Sequence, residues 1–261
     1  MQKLGKNHGG YRGERIDISS VLAEIKIAGV SKNGWISETF GKIEGFDLVA
    51  LRRLPSARAK KISRIYISAG IHGDEPAGPL AALRLLREDA WPEDMEILLL
   101  PCLNPVGFKH NQRENGSGID LNRDYLHLRS TEIRAHVEWL NSQAPFDACF
   151  CLHEDWESLG FYLYELTPSA RSSRAKSMIA AAATVCPIDM SAVIETRAAH
   201  GGIISPSLDP QLRPLWPESF WLLQNRTSLA YTLEAPSDFN LEIRVDALVA
   251  AVNAGISFPT G

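Results

Sequence analysis

No stretch of this chain approaches the ~18 unbroken apolar residues of a membrane span, and its start, MQKLGKNHGGYRGERID, has no apolar core of secretory-signal length. Both absences point to a cytoplasmic protein with no membrane partner. A basic stripe is missing too. The 27 Lys and Arg residues are mixed with 31 Asp and Glu for a net charge of -4, so nucleic acid is an unfavoured partner. Cysteine is scarce: Cys102, Cys149, Cys151 and Cys186 all lie in apolar surroundings, which reads as reduced core thiols rather than a disulfide frame. The C-x-C of DACFCLH could bind zinc, but its spacing puts both sulfurs on one face of a strand, which favours core packing. Internal repeats, low-complexity tracts and composition shifts are also absent, so residues 1–261 are expected to form one domain.

What the chain does have is alternation. Short runs rich in branched and aromatic residues read as strands at Phe46 to Leu54, Arg64 to Gly70, Met95 to Pro101, Phe146 to Leu152, Phe161 to Leu166 and Leu229 to Pro236. Between and after them lie stretches with helical spacing: PAGPLAALRLLRED, STEIRAHVEWLNSQ, PSARSSRAKSMIAAAATV and LEIRVDALVAAVNAG. Ser130 or Thr131 is placed to cap the second, and Ser237 or Asp238 the last. Strands alternating with helices predict an α/β domain with a largely parallel sheet, whose ligands gather at the carboxyl ends of the strands. Two segments stay outside this pattern and read as functional loops, Asn104 to Tyr125 and Arg197 to Trp216.

The chemistry-bearing residues follow the strands. His72 and Glu75 form an H-x-x-E directly after one apolar run, a pair of ordinary zinc ligands, although composition alone yields this spacing about 0.5 times in such a chain. His153 ends a second run and offers a third ligand, the number a catalytic zinc needs with one position left open. Read alone, the more common role of such a residue is a hydrogen-bonded strand-end histidine. Glu234 lies at the end of a third run, LAYTLEAPS, either as the base that exchanges a proton with water or as a capping carboxylate for the last helix. The loop QRENGSGIDLNRDY contributes Arg113, Asn122 and Arg123, suited to reading a carboxylate or stabilising an oxyanion, and otherwise surface partners of Glu114, Asp120 or Asp124.

In order along the chain, IHGDEPAG, LNPVGF, Arg113, GIDLNRDY, CLH and TLEAPS resemble the carboxypeptidase A-like zinc metallocarboxypeptidases, a family related to the succinylglutamate desuccinylase/aspartoacylase group. The match runs from about Ile67 to Pro236. The resemblance implies a three-layer α/β/α fold of the phosphorylase/hydrolase-like type, with a mostly parallel, mixed central sheet. It implies one zinc per chain on His72, Glu75 and His153, the substrate carboxylate on Asn122 and Arg123, the oxyanion on Arg113, and Glu234 as general base and then acid. The implied reaction is hydrolysis of an amide next to a free carboxylate in a small peptide or modified amino acid. Alternatives are an N-acyl amino acid deacylase with the same residues and an inactive zinc-binding homologue.

Three departures bear on substrate preference. Asp124 stands where many members have Asn, and is expected to orient Arg123 or to add charge. The segment from Glu195 to Pro214 lacks the substrate-closing tyrosine, which leaves His200 as a candidate. Glu154 and Asp155 are expected to make an acidic rim. Pocket-lining residues are expected within Arg197 to Trp216 and around Gln224 to Arg226.

Overall fold

The computed structural model describes residues 14–31, 34–168 and 173–257. The first 13 residues of the start considered above, and residues 169–172 of the helix expected over 168–185, lie outside them. In chain order the elements are α1 (Ile18–Ser31), β1 (Trp35–Ile43), β2 (Phe46–Arg53), β3 (Ser63–Ala69), α2 (Ala77–Glu88), β4 (Met95–Leu100) and α3 (Pro105–His110). They continue with α4 (Thr131–Ser142), β5 (Ala148–Asp155), β6 (Tyr162–Leu166), α5 (Ala175–Ala182), β7 (Val193–Ile194), β8 (Arg197–Ala198) and β9 (Ile203–Ile204). Last come α6 (Glu218–Asn225), β10 (Ala230–Pro236) and α7 (Leu241–Ile256).

Eight strands form one sheet in the order β1-β2-β4-β3-β5-β10-β6-β9. The four central strands pair in parallel, and β2 and β6 join the two sides of that block antiparallel. This is the mixed, mostly parallel sheet that the resemblance implies. Of its central strands, β4, β5 and β10 are buried along their whole length and β3 at every position but Arg64, as strands covered on both faces must be. The period-2 alternation then sorts side chains between two cores. Ile65, Ile67, Phe150 and Leu152 pack under α1, α2, α5 and α7, while Tyr66, Cys149 and Cys151 face α4 and α6. Both sulfurs of the C-x-C are therefore core thiols on one face, and all four cysteines are free and buried.

Four details differ from the sequence reading. The loop from Asn104 to Tyr125 holds structure: the Asn104 side chain accepts from Gly107 N, Pro105 takes the first helical position, and α3 forms. A short 3-10 turn then covers Leu121–Arg123. The cap of α7 is Asn240, not Ser237 or Asp238, because Asn240 is the residue whose side chain reaches Glu242 N. The sequence reading assigned no element over α1 and β1, and none over α6. Ser130, by contrast, caps α4 as expected.

One close approach fixes the relation between two segments. A Cβ on Gly73 would lie 2.0 Å from the carbonyl carbon of Gly107, so the turn after β3 rests directly on the backbone of α3. Among the described residues no helix is long and apolar enough to cross a membrane.

Candidate metal centre

Three strand ends meet at the carboxyl edge of the sheet. β3 delivers the turn with His72 and Glu75, its parallel neighbour β5 ends through His153, and β10 pairs in register with β5 so that Glu234 lies opposite His153. His72, Glu75 and His153 are buried, and each offers a donor atom within 4.8 Å of the others. Glu75 sits between the two imidazoles. Its Oε1 lies 2.6 Å from His72 Nδ1 and its Oε2 lies 3.1 Å from His153 Nδ1. Two nitrogens and a carboxylate converging on one small volume fit a zinc-type cation.

The electrostatics agree with a charged ligand set. Burial works against the Glu75 carboxylate, but His72 and His153 hold it well below the usual carboxylate range. Burial would lower the His72 imidazole, yet Glu75 and Asp120 reverse the sign and raise it. For His153, burial prevails and lowers it. Glu234 is pushed well above the ordinary range by burial and then by the Glu75 charge. It occupies the strand interior and caps no helix.

Asp120 belongs to the site, although sequence reasoning treated it only as a surface partner. Its Oδ1 lies 3.2 Å from His72 Nε2, orienting the imidazole from behind, and its Oδ2 accepts from Arg113 Nε at 3.0 Å. Arg113 is thereby held beside Glu75, with Nη1 3.5 Å from Glu75 Oε1. Asn122 Oδ1 accepts from Glu218 N at 2.9 Å, which leaves its Nδ2 donors for a ligand. Arg123 donates only to the Asn122 carbonyl, at 3.0 Å, and makes no salt bridge among the described residues.

All seven expected site residues line one cavity of about 310 Å³. Its far wall comes from Tyr164, Leu166 and the segment from Glu195 to Pro217, including Arg197 and Arg213. Residues Gln224 to Arg226 do not line it, and neither does His200, which is exposed.

Two other expectations need correction. Asp124 does not orient Arg123: its carboxylate accepts from Arg129 N, Ser130 N and Ser130 Oγ, tying down the start of α4. Glu154 and Asp155 line the cavity, but from buried positions in its wall rather than as an exposed rim, and Glu154 is structurally tied. It is buried, accepts from Ala77 N at the start of α2 and from Ser237 Oγ, and pairs with the buried Arg244 of α7. Asp155 is also buried, bonded by the Tyr162 hydroxyl at 3.1 Å.

The sequence profile of the succinylglutamate desuccinylase/aspartoacylase catalytic domain matches residues 61–211. A curated carboxypeptidase of Arabidopsis thaliana is 34% identical over 104 residues, covering 32% of this chain. The chain spans about a fifth of the length of that relative, 21%. The solved structure of an inferred metallopeptidase from Shewanella denitrificans is 27% identical, with a TM-score of 0.79 over 92% of this chain and 90% of its own. One from Shewanella amazonensis is 23% identical and shares the fold, with a TM-score of 0.81 over 95% of this chain and 98% of its own.

Proposed function

We propose a reading that starts from one fact: the chain belongs to the succinylglutamate desuccinylase/aspartoacylase catalytic-domain family. On that premise it is a metal-dependent hydrolase that cuts an amide beside a free carboxylate in a small peptide or modified amino acid. The observation that carries this reading is the strand register that sets Glu234 opposite His153, next to a buried set of three donors.

His72, Glu75 and His153 would hold one zinc ion. Bound there, zinc supplies a Lewis acid for the carbonyl and brings the ionisation of water near neutral pH. Glu234 takes the proton from the attacking water and returns it to the leaving amine. Arg113, oriented by Asp120, presents its guanidinium where the oxyanion forms. The Asn122 amide and the Arg123 guanidinium receive the substrate's carboxylate, which fixes the amide to be cut at the end of the substrate.

Glu234→Gln is expected to lower kcat/KM by about 10³-fold while zinc content, read by elemental analysis, stays at one per chain. Activity within a few-fold of the parent would remove Glu234 from the base role. The family profile, named for enzymes that act on N-acylated amino acids, supports a second reading in which the same residues deacylate such compounds. A panel of short peptides set beside N-acyl amino acids separates the two, because cleavage of the acyl compounds alone would replace the peptidase reading.

A further inference from the structure

Successive side chains of β5 point to opposite faces of the sheet, and the last of them divide two tasks. His153 is a donor of the metal centre and lines the cavity. Glu154 sends its carboxyl group the other way, into the layer where Phe150 and Leu152 meet α2 and α7, and both of its oxygens are bonded there.

Glu154 Oε1 accepts from Ala77 N, the first residue of α2. Pro76 before it offers no side-chain acceptor, so this helix start is satisfied from another strand. Oε2 accepts from Ser237 Oγ at 3.1 Å and from Arg244 Nη1 of α7, and Arg244 Nη2 is bonded in turn to Glu14. The main chain of Glu154 adds one more bond, its N–H donating to Glu75 Oε2 at 3.1 Å.

Each attachment lies beside a member of the centre. Ala77 comes two residues after Glu75, Glu154 directly follows His153, and Ser237 comes three residues after Glu234. One buried residue thus ties the ends of β5 and β10 to the turn after β3. Stability alone gives a weak reason for such a group, because a buried ion pair can be replaced by apolar residues of similar size at little or no loss. Geometry gives a stronger one. Bonds that hold a ligating carboxylate from outside fix its direction, and losing them weakens metal binding about 10- to 100-fold.

We infer that Glu154, held by Arg244, is a positioning residue that fixes Glu75 relative to His153 and so sets the metal affinity of the centre. This rests on the proposed assignment of His72, Glu75 and His153 as the donors. Two variants separate positioning from stability. Glu154→Gln keeps an acceptor for Ala77 N but presents an amide to Arg244. Glu154→Leu combined with Arg244→Met removes both members of the pair, leaves no guanidinium unmatched, and is expected to unfold in urea near the parent midpoint. Competition against a chelator should show zinc bound about 10-fold more weakly by Glu154→Gln, and at least as weakly by the double variant despite its stability. Affinities within about threefold of the parent, or a loss in Glu154→Gln that the double variant reverses, would overturn the inference. Hydrogen exchange of the metal-free chain reads the same tie without zinc. The Glu154 amide, bonded to Glu75, should exchange about 10-fold faster in Glu154→Gln while the amides of β4 hold their rates. An unchanged rate there would overturn the inference even if the parent binds one zinc, and the local loss would uphold the tie even if the parent binds none.

Discussion

The two walls of the cavity are built in opposite ways. The strand-end wall carries His72, Glu75, His153 and Glu234 on buried backbone in a four-stranded parallel block, and its polar groups lean on one another over long sequence distances. The opposite wall, from Glu195 to Pro217, consists of two-residue strands and turns, with Leu212 and Leu215 exposed. Its β7–β8 hairpin turns through Glu195 and Thr196, both in the left-handed region at φ 47° and 63°. Chemistry that requires several donors to hold sub-ångström relations needs the first kind of wall, whereas recognition of a side chain can be met by the second.

Damage to the first wall should therefore spread, and damage to the second should stay local. The largest effect is expected from Arg244→Met, which leaves Glu154 buried beside His153 without its cation. Breaking such a pair costs about 3–5 kcal/mol, to be read by urea unfolding. A loss below about 1 kcal/mol would mean that the strand-end wall is less tightly determined than its bonding suggests.

The seam between the walls should respond to pH. Glu218 begins α6, accepts from the Tyr66 hydroxyl at 2.7 Å, and has its carboxyl pushed up to about 7 by burial. The folded chain then keeps a proton that the unfolded chain releases. The contribution of this group to stability is full below about pH 4.5 and falls as pH rises to about 7, by ~3 kcal/mol in all. Denaturation of Glu218→Gln across about pH 5 to 8 should show a flatter decline than the parent, and equal slopes would exclude Glu218 as the cause.

The smallest effect belongs to the irregular wall. Thr196→Gly removes a β-branched residue from a left-handed conformation and exposes no core, so stability should rise or hold within about 1 kcal/mol. A loss of several kcal/mol would show that the hairpin bears more of the fold than its exposure implies.

The same contrast explains what the sequence made legible. The three candidate donors could be found because each directly follows or ends an apolar run, and the fold places such positions together at one edge of the sheet. α3 was obscured because Asn104 and Pro105 look like loop punctuation until the Asn104 side chain is seen to close on Gly107 N. Asp120 was passed over because an aspartate near an arginine is commonplace, and only its second oxygen, turned to His72, distinguishes it. Glu218 and Tyr66 stand 152 residues apart and share no spacing rule; their bond follows from α6 packing over β5 and β10 on the sheet face to which Tyr66 points. Asp124 misled for a related reason, since its neighbour in sequence, Arg123, is not its partner in space. The residues of the irregular wall could be bounded in sequence, but their inward direction depends on turns that carry no periodic signal.

The contact between Gly73 and Gly107 has a consequence for the geometry of the whole centre. His72 and Glu75 flank the first glycine, while α3, which carries the second, leads into the segment bearing Arg113, Asn122 and Arg123. With no side chain on either, the two backbones touch and act as a gauge block, setting the span between ligand turn and arginine loop by hard-core repulsion instead of by an adjustable bond. The span between the turn of His72 and Glu75 and the segment of Arg113 is thus dimensioned by the main chain, before any side chain in the pocket has been chosen.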